Sequence, residues 1–337
     1  MKSLVREPIL LLVLLVMTLV SCGRPEAGGG IGGTGHTATV VSGPIINTSP
    51  NNVSVSGSDY NTSSTMMTVD GMPGHQSDLK KGMVVLINAT VTHHDGTNDP
   101  DQRTANTLLY EDAVEGIVQS VALDGSSLMV LGQKVTMTTT TVIDASILRQ
   151  TILSLVPGRD LVEVSGFITG DGVIVGTLID LKTGSPDYEV KGFIKNYDAS
   201  RGTFEIGALT VDFQHADVTS MPNASPSTWN GLLVDVRGSH VSPGGAGVLQ
   251  ITTTKIKPEG LGEGSDSENS EEVEIEGFVT LVLGQSDFSL GNVHVQMTTG
   301  TTFEGGTFGD ILLGAHVEVM GALVGGILQA TNVEFVR

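Results

Sequence analysis

Three acidic residues occupy equivalent positions in three similar segments of the chain. Glu163, Asp235 and Glu318 each lie between two valines, a few residues before a glycine. Because side chains alternate across a β-strand, the valines would share one face and the carboxylates the other. On an exposed barrel face the carboxylates could contact a cation or another ligand. Alternatively, they face solvent and keep the strand soluble and in register. A fourth segment has Leu86 at the corresponding position, which favours this alternative.

The densest group of potential metal ligands lies between positions 93 and 101. The weak candidate ligands are His93, His94, Asp95, Asp99 and Asp101. Oxygen donors in a loop suit calcium and histidines suit zinc, but the spacing lacks the glutamate that closes a calcium-binding loop. Adjacent histidines on a strand would also point to opposite faces. We therefore favour a polar turn between two strands and predict no metal site there.

Other chemistry-bearing patterns are missing from the sequence. The remaining histidines are scattered, and neither a Gly-x-Ser-x-Gly motif nor a phosphate-binding loop occurs. We predict no catalytic residue, no cofactor-binding residue and no enzymatic activity. The one tryptophan, Trp229, is better explained as a core residue than as a sugar-stacking platform.

Composition points to short strands and an acidic surface. Aromatic residues make up only 4% of the 337 residues, whereas glycine occurs 44 times, which favours strands joined by tight turns over a helical bundle. The formal net charge is −20. Nucleic-acid affinity comes largely from lysines and arginines that neutralise phosphates, so we exclude nucleic acid as a partner.

The N-terminus carries the pattern of an export signal. Lys2 and Arg6 precede an apolar run, too short to cross a bilayer permanently, that ends at Ser21-Cys22. A small residue before the only cysteine resembles the bacterial lipobox. That resemblance implies cleavage after residue 21 and a diacylglyceryl group on Cys22. An ordinary secretory signal with an incidental cysteine is the alternative.

The residues after Cys22 are rich in glycine, and we predict that residues 22–36 form a flexible tether. Acyl chains on Cys22 would anchor the chain to a membrane stably. We expect the protein in the cell envelope. Gly23, rather than aspartate, follows the cysteine, which favours the outer membrane by resemblance to enterobacterial sorting.

Comparison of the chain with itself reveals four repeats. Each opens with a glycine followed by apolar residues, continues to a second glycine 14–16 residues later, and closes with two strand-like segments. The predicted units are 37–112 (degenerate), 113–184, 188–259 and 273–337. An acidic linker, 260–272, precedes the last unit and is too polar to bury a core.

Within each unit the apolar residues recur with a period of two. Val317-Glu318-Val319 is typical of a half-buried strand, and Gly291-Asn292 between two such runs predicts a tight hairpin. Segments such as 226–231 and 308–314 could each hold one helical turn. We predict an all-β chain of small barrels with the strand order of the oligonucleotide/oligosaccharide-binding (OB) type.

The last repeat resembles a bacterial family known as DUF5666, a domain of unknown function. The matching segments are Gly277–Val279, Leu290–Val293, Gly314–Gly321 and Leu328–Val333. The second and third repeats match this pattern more loosely and the first only partly. The resemblance implies tandem domains of this family, and it implies no activity.

These observations favour a non-catalytic envelope lipoprotein that acts as a scaffold or interaction module. Its expected partners are the membrane, through the lipid on Cys22, and envelope proteins or polysaccharide. The alternative is an envelope protein that binds a glycan or a divalent cation such as calcium, with Glu163, Asp235 and Glu318 as the ligand face.

Overall fold

The computed structural model describes residues 36–93, 101–222, 229–244, 248–261 and 269–336. Within these ranges the regular structure is β-strand, and the helical segments are single 3-10 turns, as at Gln76–Asp78, Ile152–Ser154 and Phe308–Asp310. The prediction of an all-β chain is confirmed. The predicted helical turn near residue 226 falls largely outside the described residues.

The described residues contain twenty-four strands, which fall into four groups along the chain. The first group is β1 (His36–Ser49), β2 (Asn52–Val55), β3 (Ser58–Asn61), β4 (Met66–Val69), β5 (Met72–Pro73), β6 (Val84–Thr92) and β7 (Gln102–Tyr110). The second is β8 (Val114–Val121), β9 (Ser127–Val130), β10 (Gln133–Thr136), β11 (Val142–Ile143), β12 (Leu161–Ile168) and β13 (Ile174–Lys182). The third is β14 (Tyr188–Phe193), β15 (Lys195–Asp198), β16 (Thr203–Ile206), β17 (Leu209–Asp212), β18 (Leu233–Pro243) and β19 (Leu249–Pro258). The fourth is β20 (Asn269–Val282), β21 (Asp287–Leu290), β22 (Val293–Glu304), β23 (His316–Val324) and β24 (Ile327–Phe335).

Each group closes into a five-stranded ring. In the fourth repeat β20 pairs with β21, β21 with β22, β22 with β24 in parallel, β24 with β23, and β23 with β20. The other repeats have the same order, with β14 and β15 together serving as the first strand of the third ring. This is the OB-type strand order, and closure leaves no free sheet edge within a ring.

A bulge recurs at the same place in every ring. The register between the fourth and fifth strands of the barrel shifts at Gly166, Gly238 and Gly321, and at Ala89 in the first repeat. A Cβ atom at Gly321 would lie 2.1 Å from the Gln329 carbonyl oxygen, so the two backbones meet too closely for a side chain. The repeated glycine thus marks a close backbone approach.

The apolar residues of alternating strands fill the barrels. The buried residues of the first and fourth repeats form one cluster each, while those of the second and third form a single continuous cluster. Val162 and Val164 illustrate the alternation, since both are fully buried in this shared core and flank Glu163. The second and third barrels are therefore packed together through a common core.

The four barrels belong to one compact body. Strand β8 pairs with β14, joining the second and third repeats, and β1 pairs in parallel with β20, joining the first repeat to the last. In the second pairing Thr39–Ser42 lie beside Glu272–Ile275. Strand β20 begins at Asn269, inside the predicted linker 260–272, so the end of that linker is wrong. Asn269 and Ser270 pair with β23, and the pairing with β1 begins at Glu272.

Candidate functional site at the repeat boundaries

Two of the three repeated carboxylates are buried, contrary to the expected exposed face. Glu163 is 2% exposed and Asp235 is 1% exposed. Each points away from the core of its own barrel, as the alternation predicted, but that outer surface is covered by residues from the neighbouring repeat. The interpretation as a solvent-facing residue is therefore also wrong for these two positions.

Around Glu163 three carboxyl groups converge at the boundary between the first and second repeats. Ligand oxygens of Asp70, Asp112 and Glu163 all lie within 4.8 Å of one another. We call these three residues the first acidic cluster. Lys182 forms an ion pair with Glu163, and its Nζ lies 3.9 Å from Asp70 Oδ2.

Backbone hydrogen bonds place these side chains. Asp70 lies in the turn between β4 and β5, and its N–H donates to the Tyr110 carbonyl at 3.0 Å. Asp112 lies in the connection between β7 and β8, where the Ala113 N–H donates to the Val164 carbonyl at 2.8 Å. The connection is thereby held against β12, which carries Glu163.

A buried phenol links two members of the first acidic cluster. Tyr110 Oη lies 2.7 Å from both Asp112 Oδ1 and Glu163 Oε1. A phenol has one proton to donate, so the second contact requires a proton on a carboxyl group. Burial raises the pKa of Asp112 well above its usual range, and raises the pKa of Asp70 to about 7. Burial also opposes ionisation of Glu163, but the Lys182 ammonium and hydrogen bonds outweigh it and lower the Glu163 pKa.

A second group of carboxylates surrounds Asp235. Ligand oxygens of Glu111, Asp235 and Glu259 lie within 4.8 Å of one another, and we call these residues the second acidic cluster. Asp235 Oδ2 lies 3.6 Å from both Arg237 Nε and Lys257 Nζ. Lys257 also pairs with Glu111.

The cations of the second acidic cluster are themselves partly buried. Lys191 Nζ lies 3.4 Å from Glu259 and 4.0 Å from Glu111, and burial would lower its pKa, but these carboxylates outweigh burial and raise it. Arg237 lies 2.9 Å from Glu189, whose own pKa is raised well above its usual range by burial and by Asp235. The cluster is thus an ion-pair network that joins the third repeat to the connection after the first. It borders a cleft of about 420 Å³.

The third repeated carboxylate, Glu318, differs from the other two in being only partly buried. It lies opposite Glu276 on β20 and Glu334 on β24. It also forms a hydrogen bond with Glu274, whose pKa is raised to about 8 by burial and by the neighbouring Glu318 and Glu272. The three repeated positions therefore have three different environments, and the structure does not combine them into one ligand face.

The structure describes only the ends of the His93–Asp101 segment. His93 Nδ1 lies 3.0 Å from Asp101 Oδ2, and Thr37 Oγ1 lies 3.0 Å from His93 Nε2. These contacts use both ring nitrogens of His93. His94, Asp95 and Asp99 lie outside the described residues, as do Cys22 and all but the last residue of the tether.

Trp229 lies in the core, as predicted. It is 6% exposed, its ring contacts Tyr197 and Phe213, and its Nε1–H donates to the Pro222 carbonyl at 3.1 Å. Another aromatic group lines a pocket of about 550 Å³ between the first, second and fourth repeats. There the His316 ring stacks on Phe278 at 4.3 Å and contacts Phe167 at 5.5 Å.

The fold and its repeat boundaries define a protein built from tandem, closed, five-stranded barrels. Residues 115–180 and 276–334 match the family described as Domain of unknown function (DUF5666). The chain therefore carries tandem DUF5666 repeats, and the predicted resemblance is confirmed for the second and fourth barrels. A comparison with curated proteins found no match. Among the described residues, no helix has the length and apolar character needed to span a membrane.

Sequence reasoning missed most of the first acidic cluster. Asp70 lies in a turn and Asp112 in a connection, and neither segment carries a repeated pattern. Lys182 is the last residue of its strand, and the corresponding strands of the other repeats end in different residues. One signal was available for the second cluster. Lys191 and Lys257 occupy the positions directly opposite Asp235 on the two neighbouring strands. An alignment of the repeats by strand register would therefore have predicted ion pairs between Asp235 and these two lysines.

Proposed function

We propose that the chain is a non-catalytic lipoprotein of the cell envelope that acts as a rigid scaffold or interaction module. The observation that carries this proposal is the pairing of β1 with β20, which joins the first barrel to the last. Four barrels held in one body present fixed surfaces, whereas barrels on flexible linkers would move independently. Binding partners through fixed surfaces avoids the entropy cost of ordering separate modules.

The charges at the repeat boundaries support a structural role. Arg237 contacts Glu111, Glu189 and Asp235, which come from the connection after the first repeat and from the third repeat. Its Nη1 also donates to the Asp70 carbonyl of the first repeat at 2.7 Å. One side chain thereby bridges two barrels that are distant in sequence, as a scaffold requires.

The membrane anchor is the second part of the proposal. Cys22 receives the lipid, residues 22–36 hold the barrels away from the headgroups, and the outer membrane is the favoured location. The partners are then other envelope proteins or polysaccharide within reach of the tether.

The experiment is a chemical cross-linking of intact cells that express the full chain, followed by purification and mass spectrometry. The matched control is the Cys22→Ser variant, which keeps the barrels but removes the acceptor of the lipid. We expect one reproducible protein or polysaccharide partner with the wild-type chain and its loss with the variant. Recovery of no partner, together with turnover of a small molecule by the purified chain, would overturn the proposal.

Glycan binding is a second candidate function, favoured by the aromatic pocket between three repeats. Phe167, Phe278 and His316 provide aromatic rings, while Lys81 and Thr138–Thr140 provide polar groups in the same pocket. His316 Nε2 lies 2.9 Å from Glu276 Oε1, within ion-pair distance although not aligned as a hydrogen bond. Sugar sites commonly combine an aromatic surface with a few polar groups.

Calorimetry with envelope oligosaccharides tests this second candidate. We expect Phe278→Leu to weaken binding, whereas the control Phe308→Leu, which changes an exposed ring outside the pocket, should leave it unchanged. Equal affinity of the two variants, or no heat with the wild-type chain, would refute glycan binding in this pocket.

A further inference from the structure

We propose that the first acidic cluster, Asp70, Asp112 and Glu163, binds a divalent, oxygen-preferring cation of about calcium's size. This inference goes beyond the scaffold function, since it assigns a ligand to a site that the scaffold does not need. Such an ion would be held jointly by the first repeat, the second repeat and the connection between them.

The geometry of the cluster matches a hard cation. Calcium binds oxygen ligands at about 2.3–2.6 Å, so two of its ligands lie at most about 5 Å apart. Every pair of ligand atoms in the cluster lies within 4.8 Å, which this ion can span without movement of the backbone. Magnesium, with bonds of about 2.0–2.1 Å, spans only about 4 Å, so the full 4.8 Å limit is within reach of calcium but not of magnesium. The absence of cysteine and histidine among the three ligands disfavours zinc.

In the metal-free cluster a proton on Asp112, shared with Glu163, supplies the positive charge, and two buried oxygens still lack a donor. A divalent cation that displaced this proton would bind at those oxygens. Asp112 is 1% exposed, yet its Oδ2 has no hydrogen-bond donor among the described residues. The buried Oδ1 of Asp70 also has none. Burying a carboxylate oxygen without a partner is costly, and a cation between these carboxyl groups would satisfy both oxygens at once.

The second acidic cluster provides an internal comparison. Its three carboxylates have three cationic neighbours within the protein: Lys191, Arg237 and Lys257. In the described part of the chain, Lys182 is the one cation within ion-pair distance of the first cluster's carboxylates, and it is placed on Glu163 and Asp70. Both oxygens of Asp235 also lack a hydrogen-bond donor among the described residues, but two cations lie 3.6 Å from Asp235 Oδ2. The two groups of acids thus differ in how far the chain itself neutralises them.

The site is also open to solvent from one side. The Asp70 side chain is 24% exposed, whereas Asp112 and Glu163 are buried beneath it. The Tyr110 phenol, 2.7 Å from both Asp112 and Glu163, lies beside the proposed ion.

Terbium luminescence and calorimetry test the proposal on the full chain, stripped of metal with a chelator. Terbium has similar size and oxygen preference to calcium, and its emission is sensitised by a nearby tyrosine such as Tyr110. We expect sensitised emission that calcium displaces, calcium-dependent heat, and a calcium-dependent rise in the melting temperature by linkage. Tyr110→Phe should reduce the sensitised emission more than it reduces the calcium heat.

Asp112→Asn is the key variant, because it keeps the side-chain shape while it removes the charge. We expect it to weaken calcium binding at least tenfold, while the control Asp124→Asn, an exposed carboxylate in a turn of the second repeat, has no effect. Asp70→Asn, on the solvent side of the cluster, serves as a second variant if Asp112→Asn does not fold. Absence of heat and of a melting shift with the wild-type chain at millimolar calcium would overturn the proposal. Equal binding by the cluster variant and the control would also overturn it, by showing only diffuse attraction to an acidic surface.

Discussion

Asn292 of the fourth repeat acts as a hydrogen-bonding partner for the backbone of Leu233 in the third. The Leu233 N–H donates to Asn292 Oδ1 at 3.0 Å, and Asn292 Nδ2 donates to the Leu233 carbonyl at 2.7 Å. The same amide nitrogen lies 2.7 Å from the Glu259 carbonyl. A single side chain at a hairpin turn therefore completes the end of a strand in the neighbouring barrel.

Substitution of Asn292 by alanine should destabilise the whole body. The change removes the partner of the Leu233 N–H and of the Glu259 carbonyl, whereas the Leu233 carbonyl keeps the Glu259 N–H at 3.0 Å. We therefore expect a loss of about 1–3 kcal/mol in the free energy of unfolding. Urea denaturation measures this loss. The matched control is Asn106→Ala, because Asn106 is exposed and donates within its own repeat to Thr90. Equal effects of the two variants would contradict a special role for the boundary contact.

Lys191→Met should be strongly destabilising. The side chain is 13% exposed and lies between Glu111 and Glu259. Its removal leaves the partly buried Glu259 without an ion-pair partner among the described residues and leaves Glu111 with Lys257 and Arg237 alone. Loss of one partner of a buried pair costs about 3–5 kcal/mol. Chemical denaturation of the control Lys195→Met, at an exposed lysine of the neighbouring strand, should show a change within about 0.5 kcal/mol. If the Lys191→Met variant were as stable as the wild-type chain, the ion-pair network would contribute no net stability.

The stability should fall as the pH rises through the neutral range. The pKa of Glu274 is about 8 in the folded state, against an ordinary value of 4.5, because of burial and the adjacent Glu318. The folded state therefore holds a proton on Glu274 that the unfolded state releases. The contribution of this proton to the free energy of unfolding is complete below about pH 4.5 and is lost as the pH rises towards 8. Denaturation curves between pH 5 and 9 should show a smaller decline for Glu274→Gln than for the wild-type chain. Parallel pH profiles of the two proteins would exclude this assignment.

Gly321→Ala should distort the bulge of the fourth barrel. The new Cβ atom would lie 2.1 Å from the Gln329 carbonyl oxygen, so the paired strands must separate at this point. We expect the free energy of unfolding to fall by about 1–3 kcal/mol, as at other overpacked sites, and calorimetry should show a lower melting temperature. Gly277→Ala is the control in the same barrel, because its nearest neighbour would be the Leu290 Cβ at 3.9 Å. A larger loss for the control would contradict the close approach.

Cys22→Ser should release the protein from the membrane. The serine hydroxyl does not accept the diacylglyceryl group, and the protein then lacks the several acyl chains needed for stable anchoring. Fractionation of cells should place the wild-type chain with membranes and the variant in the soluble fraction. Mass spectrometry of the wild-type N-terminus should show a lipid-modified cysteine. A wild-type chain with an unmodified thiol would disprove the lipoprotein assignment.

The repeats and the barrel topology could be predicted from local sequence pattern. A period of two identifies a strand that is apolar on one face, as in Val317-Glu318-Val319, and a glycine pair such as Gly166 and Gly176 marks a close approach of backbones. Each barrel is short, and its strands pair mainly within about 70 residues of the chain. The pattern therefore contains most of the information that the ring requires.

The environment of the charged residues was decided only by tertiary structure. The alternation around Glu163 and Asp235 fixes that these side chains point away from their own barrel core, but not what covers the outer surface. That surface is covered by Tyr110 and Asp112 in one case and by Glu111 in the other. The pairing of β1 with β20 joins residues more than 230 positions apart, as in Thr39 and Glu272, and no local pattern specifies it. Sequence thus determined how each strand divides its apolar and polar faces, whereas packing between barrels determined which polar faces lost contact with water.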